Sequence, residues 1–304
     1  MRNKRWTVYG KILGTSVLVV LLVRALLVTS CFIPSSGMEN SLYRGEGVLV
    51  SKWSYGLRLP FPSWIGYHRI ASSKAKKGDV VLFNNPLPIS CGERLECRDL
   101  FMSRCIGTPG DTLMLNANLA AVGGEVFSPD SKALYVYPSS DEDYLLEVLS
   151  SLGLADNVLV GYESGGKYIR SFSHYEFYLI SQRDERGISF VSLNDSVNQS
   201  AYPFVVPSKG SSIHVYPWNV KLLCNTIVTH EHRRAHVAQD TLYVDDLPVT
   251  EFVFTKDYYW MASNDPVNFN DSRLFGFVPE DHLVGKAWRI WYPARKGRFL
   301  QRVY

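Results

Sequence analysis

The sequence predicts a mainly β protein with an N-terminal transmembrane helix. Short apolar runs bounded by turn residues recur along most of the chain, and one long apolar run lies near the N-terminus. The chain has 304 residues, of which 46% are hydrophobic, so it is long enough to bury a full core. We therefore expect a folded β body behind a membrane segment.

The long apolar run extends from Ile12 to Ile33 and is interrupted by Arg24. Because about 20 residues cross the hydrocarbon of a bilayer, the run is long enough for one helix. The basic residues before it predict a cytoplasmic tail at 1–11 and a single-pass anchor at 12–33. In a bacterium, the body would then lie on the outer, periplasmic side of the plasma membrane. A cleavable signal peptide and a lipid-modified Cys31 are the alternatives.

Basic residues are concentrated at both ends of the chain. The formal net charge is +3, and residues 1–11 and 289–304 include basic residues but no acidic one. This distribution fits a body held at a membrane surface. Nucleic-acid binding would need a basic face on the folded body itself. We therefore expect membrane lipid, and no nucleic acid, as a partner.

Individual strands and helices of the body are predicted from apolar patterns and turn residues. Strands are expected at 47–50, 79–83, 113–115, 168–173, 175–180, 188–193 and 252–254. One helix is expected from a cap at Ser140 to Gly153. A second is expected at about 217–228, where apolar residues recur at helical spacing. Both apolar stripes are interpreted as surfaces that face the core.

The stretch 52–70 interleaves aromatic residues with Lys52, Arg58 and Arg69. This composition favours contact with the interface of a bilayer, and a buried hairpin is the alternative.

Cys91 and Cys97 lie in one polar loop. A small disulfide ring and two unpaired thiols both remain open. No second pair accompanies them, so zinc is not expected.

Four sequence blocks follow the apolar run in order. They are IPSSGMENSL at 33–42, KGDVVLF at 77–83, SRCIGTPGDT at 103–112 and NDSRLFGFVP at 270–279. Together with the predicted anchor, this set resembles the type I signal peptidases of bacteria. The resemblance covers residues 12–51, 77–115 and about 241–304.

The resemblance implies a fold and an activity. The family is a group of serine endopeptidases in which a serine attacks the scissile carbonyl and a neutral, buried lysine takes its proton. The implied body is antiparallel β, with a core at 34–115 and 241–304 and an inserted α+β second domain at 116–240. Its partners would be signal peptides or preproteins, bound as an extended strand in shallow pockets. We expect neither a cofactor nor a metal.

Both residues of the implied catalytic pair are substituted. The position directly before Met38, where the family has its nucleophile, is Gly37, and the position of the lysine, directly before Arg104, is Ser103. Ser36 and Ser35 are therefore the candidate nucleophiles. A serine at 103 cannot act as a base near neutral pH, and an arginine beside it stays protonated. The groove residues that the resemblance implies are Ile33, Pro34, Met38, Phe101 and Met102.

The last block also departs from the family pattern. The usual Gly-Asp-Asn reads Ala262, Ser263 and Asn264, and the loop from 264 to 271 is one residue longer than usual. The serine that would support the lysine has no clear match. Asp271, Ser272 and Arg273 are intact, and the resemblance implies an ion pair that holds this loop beneath the site.

Histidine does not offer a convincing replacement for the missing base. His68 and His282 lie nearest to the matched blocks, and each is interpreted as a surface or interface residue. His232 and His236, with Glu231, have a spacing that a metal site can use. Two arginines within the same segment would repel a cation, and a polar loop explains the pattern equally well.

Three hypotheses for function follow. The first is a membrane-anchored signal-peptidase-like protein at the outer face of the plasma membrane, which binds signal peptides of exported proteins but has lost standard serine/lysine catalysis. The second is an active serine endopeptidase that removes signal peptides with Ser36 or Ser35 as nucleophile. The third is a structural component of an envelope assembly. The retained turns and the two lost chemical residues favour the first.

Overall fold

A computed structural model describes most of the chain. The described residues are 2–59, 62–87, 93–116, 119, 128, 130–193 and 200–304. Cys91, one half of the possible disulfide, and Phe61, in the aromatic stretch, lie outside them.

The described residues form six α-helices and twenty strands. The helices are α1 Arg2–Leu26, α2 Pro62–Ile65, α3 Glu142–Ser151, α4 His174–Arg183, α5 Val220–His230 and α6 Ser272–Phe275. The strands are β1 Val28–Phe32, β2 Gly47–Ser51, β3 Leu57–Arg58, β4 Arg69–Ile70, β5 Val80–Asn84, β6 Leu100–Gly107, β7 Thr112–Leu115, β8 Lys132–Pro138, β9 Leu159–Glu163, β10 Lys167–Ser173, β11 Val191–Ser192, β12 Tyr202–Val205, β13 Ser212–His214, β14 Ala235–Ala238, β15 Thr241–Val244, β16 Leu247–Val249, β17 Glu251–Val253, β18 Tyr258–Ala262, β19 Val278–Pro279 and β20 Leu283–Tyr292.

The largest sheet is antiparallel and has seven strands in the order β1-β2-β20-β5-β6-β18-β19. Strand β5 is buried along its whole length because both faces of the sheet are covered. Val80 and Leu82 face one apolar cluster, and Val81 and Phe83 face another. This alternation is the period of two that a strand imposes on its side chains. The mainly β prediction is confirmed.

The N-terminal helix ends earlier than the predicted anchor. Helix α1 ends at Leu26, and Val28–Phe32 forms a strand that pairs with Gly47–Ser51. The prediction of one helix up to Ile33 is therefore wrong at its C-terminal end. Lys52 donates from its Nζ to the main-chain oxygens of Arg24 and Ala25 at 3.1 Å each, and so satisfies carbonyls that a helix end leaves free. Within the described residues, no helix combines the length and the mean hydropathy of a bilayer-crossing segment.

The two predicted core-facing helices of the middle region are present. In α3, Leu145, Val148 and Leu149 are buried, and in α5 the buried residues include Leu223 and Ile227. The predicted cap at Ser140 is wrong, because α3 begins at Glu142 after a short 3-10 turn and shows no side-chain cap.

One predicted strand is a helix instead. Residues 175–180 lie within α4, whose N-terminus is fixed by a capping box in which Ser173 and Glu176 bond each other's main-chain nitrogens. Phe177 on α4 stacks on the ring of Tyr135 with centroids 4.4 Å apart. Cap and packing together override the strand propensity of the aromatic residues. Within the predicted strand at 188–193, only Val191–Ser192 forms one.

The region between the matched blocks contributes to two different cores. Residues 132–193 form a four-stranded sheet, in the order β11-β8-β10-β9, whose buried side chains pack with α3 and α4. In contrast, α5 and β12 pack into the same core as Trp260 of the large sheet. Lys132, at the start of β8, donates from its main-chain nitrogen to the oxygen of Asn264 at 2.8 Å and forms a salt bridge with Glu39 at 2.6 Å.

The aromatic stretch 52–70 folds as a short hairpin, β3 with β4, beside the large sheet. Tyr55 is buried and donates to Asp79, whereas Trp53, Trp64 and Ile70 are exposed.

Two histidines are buried where α5 meets the large sheet. His230 and His282 lie with ring centroids 5.3 Å apart, and Asp281 contacts the His282 Nδ1 at 2.7 Å. Lys256 forms a salt bridge with Asp281, and Arg98 contacts the His282 Nε2. Burial, helped by the neighbouring His282, holds the pKa of His230 well below its ordinary value. Burial also lowers the pKa of His282, despite the opposing charge of Asp281.

We expect this buried pair to make the protein less stable in mild acid. The unfolded chain takes up protons on both histidines as the pH falls below about 6.5, whereas the folded chain resists them, so stability is lost in that range and retained above it. Urea unfolding at pH 8, 6 and 5 measures the effect. His230→Gln should reduce the pH dependence, and His174→Gln, at an exposed histidine, is the matched control. Stability that does not fall between pH 7 and pH 5 would contradict this assignment.

Candidate functional site

A cavity of about 160 Å³ lies where the end of β1 meets β5, β6 and the loop after β18. Its lining is mostly apolar and consists of Cys31, Phe32, Ile33, Pro34, Ser35, Gly37, Met38, Leu82, Leu100, Phe101, Met102, Ser263 and Asn270. All five residues that were expected to form a groove, Ile33, Pro34, Met38, Phe101 and Met102, line this cavity. We call it the groove.

The pairing of β5 with β6 explains which side chains face the groove. Leu82 lies opposite Met102, and Leu100 stands two residues before Met102 on the same face of β6. Ser103, the residue after Met102 on β6, is fully buried and is not part of the lining. Leu82 and Leu100 were missed at the sequence level, although the period of two along β6 could have indicated Leu100.

Gly37 lies against the loop that follows β18. Its main-chain oxygen accepts from the nitrogens of Asn264 at 2.8 Å and Asp265 at 3.1 Å. A Cβ atom built on Gly37 would lie 2.9 Å from the main-chain oxygen of Asn268, closer than folded proteins tolerate. The loop, residues 264–270, therefore occupies the space that a side chain at position 37 would need.

Ser103 contacts the same loop. Its Oγ donates to the main-chain oxygen of Asn270 at 3.1 Å. The neighbouring Arg104 is committed elsewhere, because its guanidinium donates to Gly78 at 2.9 Å and to the Ser41 hydroxyl at 2.6 Å. Both positions of the expected catalytic pair are thus occupied by structural contacts.

The two candidate nucleophiles differ in their surroundings. Ser35 lines the groove, whereas Ser36 does not. The Ser36 Oγ donates to the Asp265 carboxylate at 2.9 Å and accepts from the Asn268 side-chain amide at 3.0 Å. Sequence reasoning did not identify Asp265 or Asn268 as partners of Ser36, since loop geometry brings together residues far apart in the chain.

No described lysine or histidine lines the groove. His282 is buried beside Asp281, as described above, and His68 is exposed. Helix α5 ends at His230, so His232 and His236 do not share a helical face. His236 stacks on Tyr243 with centroids 5.0 Å apart. In the described part of the chain, no three His, Cys, Asp or Glu side chains are grouped as a metal site requires.

The loop rests on a buried ion pair. Asp271 is fully buried and accepts from Arg273 Nη2 at 2.6 Å and from the main-chain nitrogen of Ser263 at 2.7 Å. Ser272 accepts from the nitrogen of Met261 at 2.9 Å, and the Arg273 guanidinium lies 3.8 Å from the ring centre of Phe269. These contacts hold both ends of the loop against β18.

Asn264 connects the loop to the segment after Met38. Its side-chain amide donates to the main-chain oxygen of Glu39 and to the Ser41 hydroxyl, each at 2.9 Å. The loop, the segment 35–41 and β6 therefore form one hydrogen-bonded unit around the groove.

Comparisons of the sequence with known proteins point to one family. The model of a family described as "Signal peptidase, peptidase S26" matches residues 6–158, half of the chain. The signal peptidase I of Helicobacter pylori is 22% identical over 290 residues, covering 91% of this chain and 79% of that protein. The signal peptidase I of Haemophilus influenzae is 25% identical over 284 residues, covering 91% and 67%. That of Buchnera aphidicola from Acyrthosiphon pisum is 22% identical, covering 90% and 71%.

The matched region includes the segment before Met38, the strands β5 and β6, and both substituted positions, Gly37 and Ser103. The low identities over nearly the full chain fit a distant relationship. The chain therefore belongs to the signal peptidase S26 family, as a divergent member.

Proposed function

We propose that the protein binds signal peptides of exported proteins at the outer face of a bacterial plasma membrane and does not cleave them by serine/lysine chemistry. One observation carries this proposal: the loop 264–270 contacts both positions at which the family's catalytic pair is expected. The Asn268 oxygen fills the side-chain space at Gly37, and the Asn270 oxygen accepts from Ser103.

The chemistry around the groove supports binding without cleavage. A serine hydroxyl becomes a nucleophile when a neighbouring base takes its proton. Ser35, the serine that lines the groove, has no lysine or histidine beside it among the described lining residues. Arg104 stays protonated and donates its hydrogen bonds elsewhere.

The groove itself is suited to an extended apolar segment. Ile33, Met38, Phe101 and Met102 supply apolar walls. Strand β1 lies at the edge of the seven-stranded sheet and leads directly into the groove. An edge strand offers main-chain groups to an added peptide strand, which gives affinity, and the pockets give selectivity for side chains.

A membrane location is supported by the surface of α1. Its apolar side chains from Val17 to Val23 are all exposed, so they face outward around the whole helix. A helix that is apolar all round requires an apolar environment. Trp53 and Trp64 in the nearby hairpin, and Phe299 close to the basic C-terminus, are also exposed. Aromatic and basic residues of this kind suit a lipid interface.

Site-specific crosslinking tests whether the groove binds signal peptides. A photoreactive residue in place of Met102, in the groove, should capture a labelled signal peptide when the purified chain is held in detergent. Met114 on β7, which is 46% exposed and outside the groove, is the matched control position. Equal capture at both positions, or at neither, would favour a purely structural role. Release of a shorter preprotein in the same samples would contradict binding without cleavage.

Side chains at position 37 should destabilise the protein. Gly37→Ser and Gly37→Ala both meet the Asn268 oxygen at 2.9 Å, and we expect each to lower the free energy of unfolding by about 1–3 kcal/mol. Gly161→Ala is the control, because a Cβ there meets only an Ile169 methyl at 4.0 Å. Urea unfolding measures both. Unchanged stability of both Gly37 variants would show that the loop yields easily.

Restoring the catalytic residues should not restore cleavage while the loop keeps its place. In the double variant Gly37→Ser, Ser103→Lys, the new lysine would replace a fully buried serine. The hydrogen bond from the Ser103 hydroxyl to the Asn270 oxygen would be lost. Preprotein processing by this folded double variant would contradict the proposed block.

A second candidate function rests on the Ser36–Asp265 contact. The Ser36 Oγ lies 2.9 Å from the Asp265 carboxylate, an arrangement in which the carboxylate is placed to accept the hydroxyl proton. This pair would make the protein an active serine endopeptidase. The test is a cleavage assay on the purified chain with Ser36→Ala and Asp265→Asn. Cleavage that falls by about 100-fold or more in both variants would establish this function in place of the first. Ser35→Ala is the matched control.

A further inference from the structure

We propose that the groove binds the carboxyl-terminal end of a peptide, and that the loop 264–270 is the wall at which the bound chain stops. The ligand class is then a released signal peptide, or another apolar peptide with a free terminal carboxylate, and not the intact preprotein. This inference rests on the proposed function, because it takes from it that the groove holds the residues that precede a cleavage site.

The wall lies beside Gly37. The main-chain oxygen of Asn268 lies 2.9 Å from the place of a Cβ on Gly37, which itself lines the groove. A peptide that ran through this end of the groove would have to pass the point that Asn268 occupies. A chain that ends before Gly37 makes no such demand.

Hydrogen bonds hold the wall in place. Gly37 receives hydrogen bonds from the nitrogens of Asn264 and Asp265, and Ser36 contacts both Asp265 and Asn268. At the other end, Ser103 donates to the Asn270 oxygen. Moving the loop aside would break these bonds together. The loop is therefore a fixed boundary of the groove and not a freely opening flap.

Polar side chains lie at this end of the groove. Ser35, Ser263 and Asn270 are the polar side chains of the lining, and their hydroxyl and amide groups make no hydrogen bond to another described residue. The Ser35 and Ser263 hydroxyls lie 3.7 Å and 3.8 Å from the Cβ position of Gly37, so both stand at the wall. Hydroxyl and amide groups can donate to a terminal carboxylate.

The lining of the groove is uncharged. Among the described residues neither an acid nor a base lines it, so a terminal carboxylate would be held by neutral hydroxyl and amide donors alone. Asp265 is the nearest acid in the loop, but it is not part of the lining. Its carboxylate accepts from the Ser36 hydroxyl and from the main-chain nitrogen of Val267.

Three matched peptides test the proposal on the unmodified protein in detergent. Each is the same labelled decapeptide of leucine and alanine residues ending in Ala-Ala. One has a free carboxylate, one has a terminal amide, and one continues with a polar tetrapeptide. We expect the free acid to bind at least about tenfold more tightly than the other two, because a carboxylate accepts stronger hydrogen bonds than an amide and the extended peptide would have to cross the wall. Fluorescence anisotropy gives the three Kd values.

Each of the other outcomes contradicts a different claim. An extended peptide that binds as tightly as the free acid would show that no wall exists, while the proposed binding function stands. An amide as tight as the acid would remove the carboxylate from the proposal and so overturn it. If no peptide binds, the proposed function fails together with this inference. The three results are distinguishable from one another.

Two variants give an independent measurement. Combining Ser35→Ala, Ser263→Ala and Asn270→Ala removes the three donors and should reduce the preference for free acid over amide to less than about threefold. Deletion of Val267 shortens the loop and should raise the affinity for the extended peptide. Val267→Ala keeps the loop length and is the matched control, since the Val267 side chain is 52% exposed and outside the groove. A preference that survives loss of all three donors would overturn the proposal.

Discussion

The contact between the Asn268 oxygen and Gly37 organises the whole site. A main-chain carbonyl is rigid and cannot rotate away as a side chain can, so position 37 has to remain without a Cβ while the loop keeps its place. The same loop accepts the hydrogen bond of Ser103. The two substitutions therefore have one common structural partner. Glycine at 37 and a short buried hydroxyl at 103 are the residues that let this loop lie close to the sheet.

The sheet determines where the loop can lie. Strand β18 pairs with β6, with Ala262 opposite Arg104, so the chain leaves β18 directly beside Ser103. The buried Asp271–Arg273 pair then brings the chain back to α6. Between these two fixed points, the loop passes so close to Gly37 that the Asn268 oxygen lies 2.9 Å from the place of a Cβ on Gly37. Removing either Asp271 or Arg273 would leave the other charge uncompensated. The position of the loop therefore depends on both residues.

Much of this fold was predictable from patterns that depend on local residues. The apolar runs of β2 and β5 and the stripes of α3 and α5 are fixed by short-range periodicity, and all four elements are present. The end of α1 was missed because Val28–Phe32 is as apolar as the helix before it, and pairing with Gly47–Ser51 decides the outcome. The five residues that the resemblance implied for a substrate groove line one cavity, and their binding of a substrate stays a prediction. The contacts of Gly37 with Asn268 and of Ser36 with Asp265 were not predictable, because they depend on how a long-range loop closes.

The junction between α1 and β1 has a mechanical consequence. A single residue, Leu27, separates the helix from the strand, and it bonds to Val23 on one side and to Lys52 on the other. The Lys52 ammonium also bonds to the last carbonyls of α1, so helix and sheet are joined without a flexible linker. The five residues of β1 span about 17 Å and end in the groove, whose lining includes Cys31 and Phe32. One short strand therefore fixes the distance between the groove and the end of α1, so the two cannot move independently.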